Sequence, residues 1–187
     1  MSSLHSQKKY EEYAYVLDFV PRGKSKIIRG REGPILEGIG EDRLTLLEIL
    51  AMDGVDLDVG ERIGIGKEGR TKVVSVLGKL TYEELSNEAK GELESVVELL
   101  VKNNEKRYVE AFNSLQPVTP RLHALELIPG IGKTFMYQIL NERDRQPFKS
   151  FDELHERIGL REPAKLIAKR IVEEVSGGSR VTLFIRR

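Results

Sequence analysis

Apolar positions along the chain change period near residue 81. Before it, short β-rich runs alternate with glycine- and proline-containing turns: "YAYVLDFV" (13–20), the turn and basic strand "PRGKSKII", and the turn "REGP". "RLTLLEIL" (43–50) fits a strand or a short helix. "GERIGIG" (60–66) and "TKVVSVLGKL" (71–80) flank the charged turn "KEGR", which predicts a hairpin. Several short strands in so compact a stretch predict a small barrel or half-barrel over residues 1–80, for which an OB-like fold is one solution.

From Thr81 the period becomes helical. "TYEEL" has the form of a capping box, Thr81 capping the helix while Glu84 reaches back. Apolar residues recur at 85, 89, 93, 96, 97, 100 and 101, one stripe of a helix. Residues 81–120 thus read as a connecting helix and a linker, "NSLQPVTP". Residues 121–176 hold four helical pieces. "RLHALELI" and "KTFMYQILNER" meet at "PGIG"; "SFDELHERI", with its own capping box at Ser150 and Glu153, and "PAKLIAKRIVEEV" meet at "GLRE". Pro163 falls in the first-turn position that proline favours. Residues 177–187, with the alternating "RVTLFI", predict a terminal strand adding to a sheet edge. The expected class is α+β in two domains, a small OB-like β-barrel followed by an all-α tandem helix-hairpin-helix (SAM-like) domain.

Composition changes this picture little. The chain has no cysteine, which excludes disulfides, zinc ribbons and thiol nucleophiles and agrees with a cytoplasmic setting. No window is apolar enough to span a membrane, and the polar, charged N-terminus does not read as a signal peptide. His5, His123 and His155 are far apart, so metal binding by histidine is not expected. Thirty basic and thirty acidic side chains balance overall but not locally. Residues 1–32 carry seven basic and four acidic groups, 81–110 four and eight, and 121–187 thirteen and nine. A neutral total argues against indiscriminate polyanion binding, while basic ends leave room for a local phosphate site.

"IPGIGKT" (128–134) carries the main chemical signal. A nucleotide-binding P-loop would need glycine at position 127, which is Leu127, and a preceding buried strand. A helix-hairpin-helix turn fits instead. Gly130 and Gly132 permit unusual backbone angles and close approach of a sugar-phosphate chain, and Ile131 plugs the gap between helices. The N–H groups of Gly132, Lys133 and Thr134 then become unpaired donors at a helix N-terminus, where an anion is favoured. The second turn repeats the pattern in weaker form: Gly159-Leu160-Arg161, with Arg161 in place of the second glycine and Lys165 close by. Two such turns side by side would hold both strands of a duplex without reading its sequence. The competing account is that Gly-x-Gly turns merely join helices, or dock a protein partner.

A weaker signal lies in the N-terminal module. Tyr13, Tyr15 and Phe19 share one strand face, with Arg22, Lys24 and Lys26 beyond, as in sites that stack single-stranded bases. The same face is uniformly apolar, so core packing is the stronger account of it. "GIGK" recurs at 64–67 in strand-like surroundings, where no helix dipole stands behind it. Asp152 lies near the distance at which helix-hairpin-helix glycosylases carry a catalytic aspartate, but the start of a capped helix accounts for it. No catalytic residue, metal or cofactor is expected.

These stretches, with "GIGEDRLTLLEI", "VGERIGIGKEGR" and "TPRLHALELIPGIGK", resemble an uncharacterised archaeal family with an OB-like N-terminal domain and a C-terminal tandem helix-hairpin-helix. The resemblance runs nearly the full length. It implies a two-part fold and a nucleic-acid partner, RNA more than DNA; the hairpin residues themselves point to non-catalytic, sequence-tolerant binding. The alternatives are a protein-assembly module using the hairpins and terminal strand, and a nucleic-acid-processing enzyme.

Overall fold

The computed structural model describes residues 10–186. The described residues form a curled five-stranded antiparallel sheet and five α-helices, divided between two compact units. The first unit runs through Val96, with short returns at Val175–Gly178 and from Ile185; the second holds Val97–Glu174 and Ser179–Phe184. The change of unit falls between Val96 and Val97, within the 81–120 stretch.

In the first unit, β1 (Tyr13–Lys24), β2 (Glu32–Gly40) and β3 (Leu46–Ala51) form a meander, flanked by β4 (Arg62–Gly64) on β1 and β5 (Val73–Lys79) on β3. The run at 43–50 is thus a strand. β4 and β5 do not form the expected hairpin; they sit at opposite ends of the sheet order β4-β1-β2-β3-β5. Irregular register at Val16/Asp18 and Val20/Gly23 in β1, and at Leu77 of β5 opposite Glu48 and Ile49, fits the curl, since an extra residue bends a strand and increases its twist. The result is a half-barrel compatible with an OB-like module. Ala14, Val16, Leu36, Leu47, Ile49, Ile63, Ile65 and Val73 fill its core.

Three carboxylates cross the middle of the sheet in one row. Asp18 is the cross-strand partner of Glu37, and Glu37 of Glu48. Like charges placed opposite each other are unfavourable, and donors compensate each one. Ser86 gives its hydroxyl to Asp18 (2.7 Å) and its N–H to Glu37 (2.8 Å). The Lys26 ammonium also meets Glu37 (2.9 Å). Glu48, nearly fully buried, accepts from the Lys26 N–H (2.8 Å) and the Ser25 hydroxyl. Ser86 also accepts from the Ala89 N–H, and α1 (Asn87–Asn103) begins there. The Thr81–Glu84 reciprocal pair does form, but it closes a turn ahead of the helix rather than starting it. The apolar stripe from Leu85 to Val101 is buried throughout.

The second unit contains α2 (Glu105–Ser114), the short pair β6 (Pro117–Thr119) and β7 (Leu122–His123), a 3-10 turn at Ala124–Leu127, α3 (Lys133–Arg145), α4 (Phe151–Ile158) and α5 (Pro163–Val175). The 113–120 segment is therefore structured. The expected helix at 121–128 is a two-residue strand and one 3-10 turn, so the first hairpin lacks a full leading α-helix. No strand forms between residues 177 and 186. Instead Glu174, fully buried, accepts from the N–H groups of Leu183 (2.9 Å) and Phe184 (3.0 Å), and the Arg170 guanidinium donates to the Val181 carbonyl. "RVTLFI" is tied back onto α5, with Phe184 packed on Tyr108 at 5.8 Å between ring centroids.

Candidate functional site

The turn before α3 has the local geometry that its glycines suggest. Gly130 adopts φ +88°, and any side chain there would also press on Leu166 of α5. Ile131 is buried. Gly132 is the N-cap of α3, with extended backbone (φ −91°, ψ −169°) and no side-chain cap. A Cβ placed on Gly132 would meet nothing within 4 Å. The first turn of α3 carries no acidic residue, whereas α4 is capped by Ser150 and has Asp152 and Glu153 in its first turn. The donors at the start of α3 thus lie on open ground beside Lys133 and Thr134, both exposed.

Lys133 is not a lone charge. Its ammonium lies 3.0 Å from the Glu126 carboxylate. Glu126 also accepts from the His123 N–H (2.9 Å), while His123 Nδ1 accepts from the Leu125 N–H (3.0 Å). The His123 backbone donor, followed by Lys133, holds the Glu126 carboxyl below its usual range. Burial pushes the His123 imidazole below its ordinary value, and Arg143's charge pushes the same way. One residue therefore caps the 3-10 turn and orients the lysine of the next helix. Arg170 adds a further tie by donating to the Leu127 carbonyl just ahead of the turn.

The second turn is built differently. Gly159 (φ +73°) ends α4 as a left-handed cap, its N–H donating to His155 and the Leu160 N–H to Leu154. Leu160 is buried as Ile131 is. The residue before the first helical position is Glu162 (φ +50°), not Arg161, so the second turn is one residue longer than the first. Pro163 has no N–H to offer, and Glu162, exposed just before it, adds a negative charge to this turn. Arg161 and Lys165 thus stand beside a weaker cradle.

The proposed stacking platform is not present as expected. Tyr15 is fully buried, its hydroxyl 3.4 Å from Glu41, because β1 is buried on both faces from Ala14 to Leu17. Tyr13 is partly exposed, but the Arg62 guanidinium lies 3.6 Å over its ring and is held by Glu41. In the second "GIGK", a side chain on Gly64 would collide with the Gly69 carbonyl and one on Gly66 with Glu12, so those glycines serve packing. Asp152 sits exposed in the first turn of α4. Two residues near the turn escaped the sequence reading. Glu126 pairs with the lysine seven positions on, and Tyr137, 58% exposed, lies one helical turn from Lys133 on α3. The i,i+4 spacing was the available signal for Tyr137.

A family model described as "Protein of unknown function (DUF655)" matches residues 10–186. The uncharacterized protein MJ0038 of Methanocaldococcus jannaschii is 43% identical over 169 residues, 90% of this chain and 76% of its own length. The crystal structure of Af1531 from Archaeoglobus fulgidus, assigned to the same family model, is similar with a TM-score of 0.83 at 40% identity. That match covers 94% of this chain and 100% of the other. Among the described residues, no helix is long and apolar enough to cross a membrane.

Proposed function

The chain belongs to the DUF655 family, and on that footing we propose that it is a non-catalytic, cytoplasmic nucleic-acid-binding protein that holds a backbone phosphate at the start of α3. The observation that carries the reading is Gly132, an N-cap with no side chain, no neighbour in its way and no acid in the turn that follows. A phosphate there would accept from the free N–H groups of the first turn, with the helix dipole behind it. Lys133 would share its charge between Glu126 and the phosphate, and Thr134 would offer its hydroxyl. Gly130 and Ile131 shape the turn from behind. Tyr137 offers an aromatic face to a base attached to that phosphate, which favours single-stranded RNA as partner.

Gly159, Arg161 and Lys165 form a secondary contact at most, since Glu162 and Pro163 weaken that turn. The reading of the chain as a protein-assembly module loses one of its two elements, because "RVTLFI" is engaged within its own unit. Fluorescence anisotropy with labelled single- and double-stranded RNA and DNA over a range of salt tests the proposal. Binding should weaken with salt, without strong sequence preference, and should weaken markedly when the α3 N-terminus is blocked.

A further inference from the structure

From Phe19 to Arg31 there are five cationic side chains and no carboxylate, in a chain whose thirty basic and thirty acidic side chains balance overall. Arg22 and Lys24 alternate at the end of β1; Lys26, Arg29 and Arg31 follow in the loop to β2. Lys26 is occupied by Glu37 and by the Glu84 carbonyl (2.6 Å). Lys24 is only loosely near Glu32, at 3.9 Å with both side chains mostly exposed. The side chains of Arg22, Arg29 and Arg31 have no hydrogen-bonding or ionic partner among the described residues.

The loop that displays them is held firmly. Ser25 donates its N–H to the Arg31 carbonyl (2.9 Å), and its hydroxyl accepts from the N–H groups of Ile27 and Ile28. Glu48 anchors Ser25 and Lys26 from below, and Ile27 lies against the bare backbone of Gly78 in β5. Like charges kept together repel one another, and nothing in the packing requires these three guanidiniums. Their forked donors suit phosphate oxygens, and a preformed loop loses little freedom when it binds.

We propose that the end of the β1–β2 hairpin, residues 22–31, is a second phosphate-contacting surface for a polynucleotide backbone, carried by Arg22, Arg29 and Arg31 with Lys24 beside them. The charges are spread along the end of β1 and the loop that follows, which fits a chain of phosphates rather than one compact anion. Ile27 and Ile28 are each a little over one-third exposed, with Ile27 leaning on Gly78, a small apolar face beside four cationic side chains. The surface goes beyond the α3 turn and stands independently of it.

The test uses the full chain and a labelled oligo(U) of roughly 20 nucleotides, longer than the site of about 4–16 that a single module covers. Arg22→Gln/Arg29→Gln/Arg31→Gln is compared with wild type, with Gly132→Asp, and with Lys67→Gln/Lys106→Gln/Lys149→Gln, which removes the same charge from other exposed positions. The arginine variant should keep its circular dichroism and melting temperature. Its salt slope should flatten by about 2, at about 0.7 per phosphate released from a single strand, while the lysine variant keeps the wild-type slope. If the arginine variant binds as wild type does, or no worse than the lysine variant, the surface is not a nucleic-acid contact. If it loses binding while Gly132→Asp keeps it, the hairpin stands and the α3 reading falls; the reverse result spares only the α3 turn. No binding of the probe by wild type at low salt overturns both, and would direct the patch to an acidic protein.

Discussion

Gly132→Asp separates a phosphate site from a merely structural turn, because only the phosphate account has stability rise while binding falls. The backbone at Gly132 is extended, with φ −91°, so an L-residue fits without strain, and the space for a side chain is empty. An aspartate there becomes an N-cap, accepting from the first-turn N–H groups that glycine leaves open. Relative to glycine the cap is worth a few tenths of a kcal/mol, and the charge at the dipole's positive end about 0.3–1 kcal/mol. The variant should therefore be as stable as wild type, or about 0.5–1 kcal/mol more so, by urea denaturation. The same carboxylate takes the place of the phosphate. Losing one hydrogen bond to a charged group costs about 1.5–3 kcal/mol, so affinity should fall roughly 10- to 100-fold in the anisotropy titration. Gly132→Ala, which adds neither cap nor charge, should bind nearly as wild type does. A stabilised Gly132→Asp protein that still binds with wild-type affinity would refute the reasoning, because the donors would then be filled and the phosphate elsewhere.

The remaining predictions concern the supports of the two surfaces. Glu48→Ala leaves Ser25 and the Lys26 N–H without their buried acceptor, and should lower stability by about 2–4 kcal/mol in urea, with new protease cleavage at 25–31. Glu174→Gln removes the carboxylate that Arg170 Nε meets at 2.9 Å and leaves only Glu173, at 3.4 Å, to balance that buried guanidinium; a loss of up to about 3–5 kcal/mol and earlier proteolysis at 179–186 are expected, and unchanged stability would show the terminal segment is not held there. His123 titrates below its ordinary value when folded, so the unfolded chain takes up its proton first as pH falls. Its contribution to stability is complete above about pH 6.5 and declines as pH drops toward the lowered folded value. His123→Asn, which keeps an acceptor at the cap, should remove that part of the slope from a stability-against-pH curve.

Much of the fold was legible because burial follows period. The 85–101 stripe, the Ser150 cap and Pro163 each express a local rule strong enough to survive tertiary context. The failures share a different cause. Whether β4 meets β5 depends on which edge of the sheet each finds, and no property of "KEGR" records that. "RVTLFI" alternates as a strand should, yet the buried Glu174 offers its backbone N–H groups a partner that no pattern reveals. At the candidate site, glycine spacing located the turn, while Glu126 beside Lys133 and the extra residue before Pro163 appear only once backbone angles are known. Tyr15 misled because an aromatic beside basic residues looks the same on a binding face as on a core face.

The row of Asp18, Glu37 and Glu48 also bears on which sheet forms at all. Neighbouring residues of a strand point to opposite faces, so sliding β1, β2 or β3 by one position would drive a carboxylate into the space filled by Leu36, Leu47 and Ile49. The misaligned sheets are penalised far more than the correct one, where every acid has a donor waiting. Those donors come from Ser25, Lys26 and Ser86, so the sheet's alignment, the basic loop and the first turn of α1 are selected together. Amide exchange in these three places should slow as a group during refolding, with the loop gaining its shape at the moment the strands find their register.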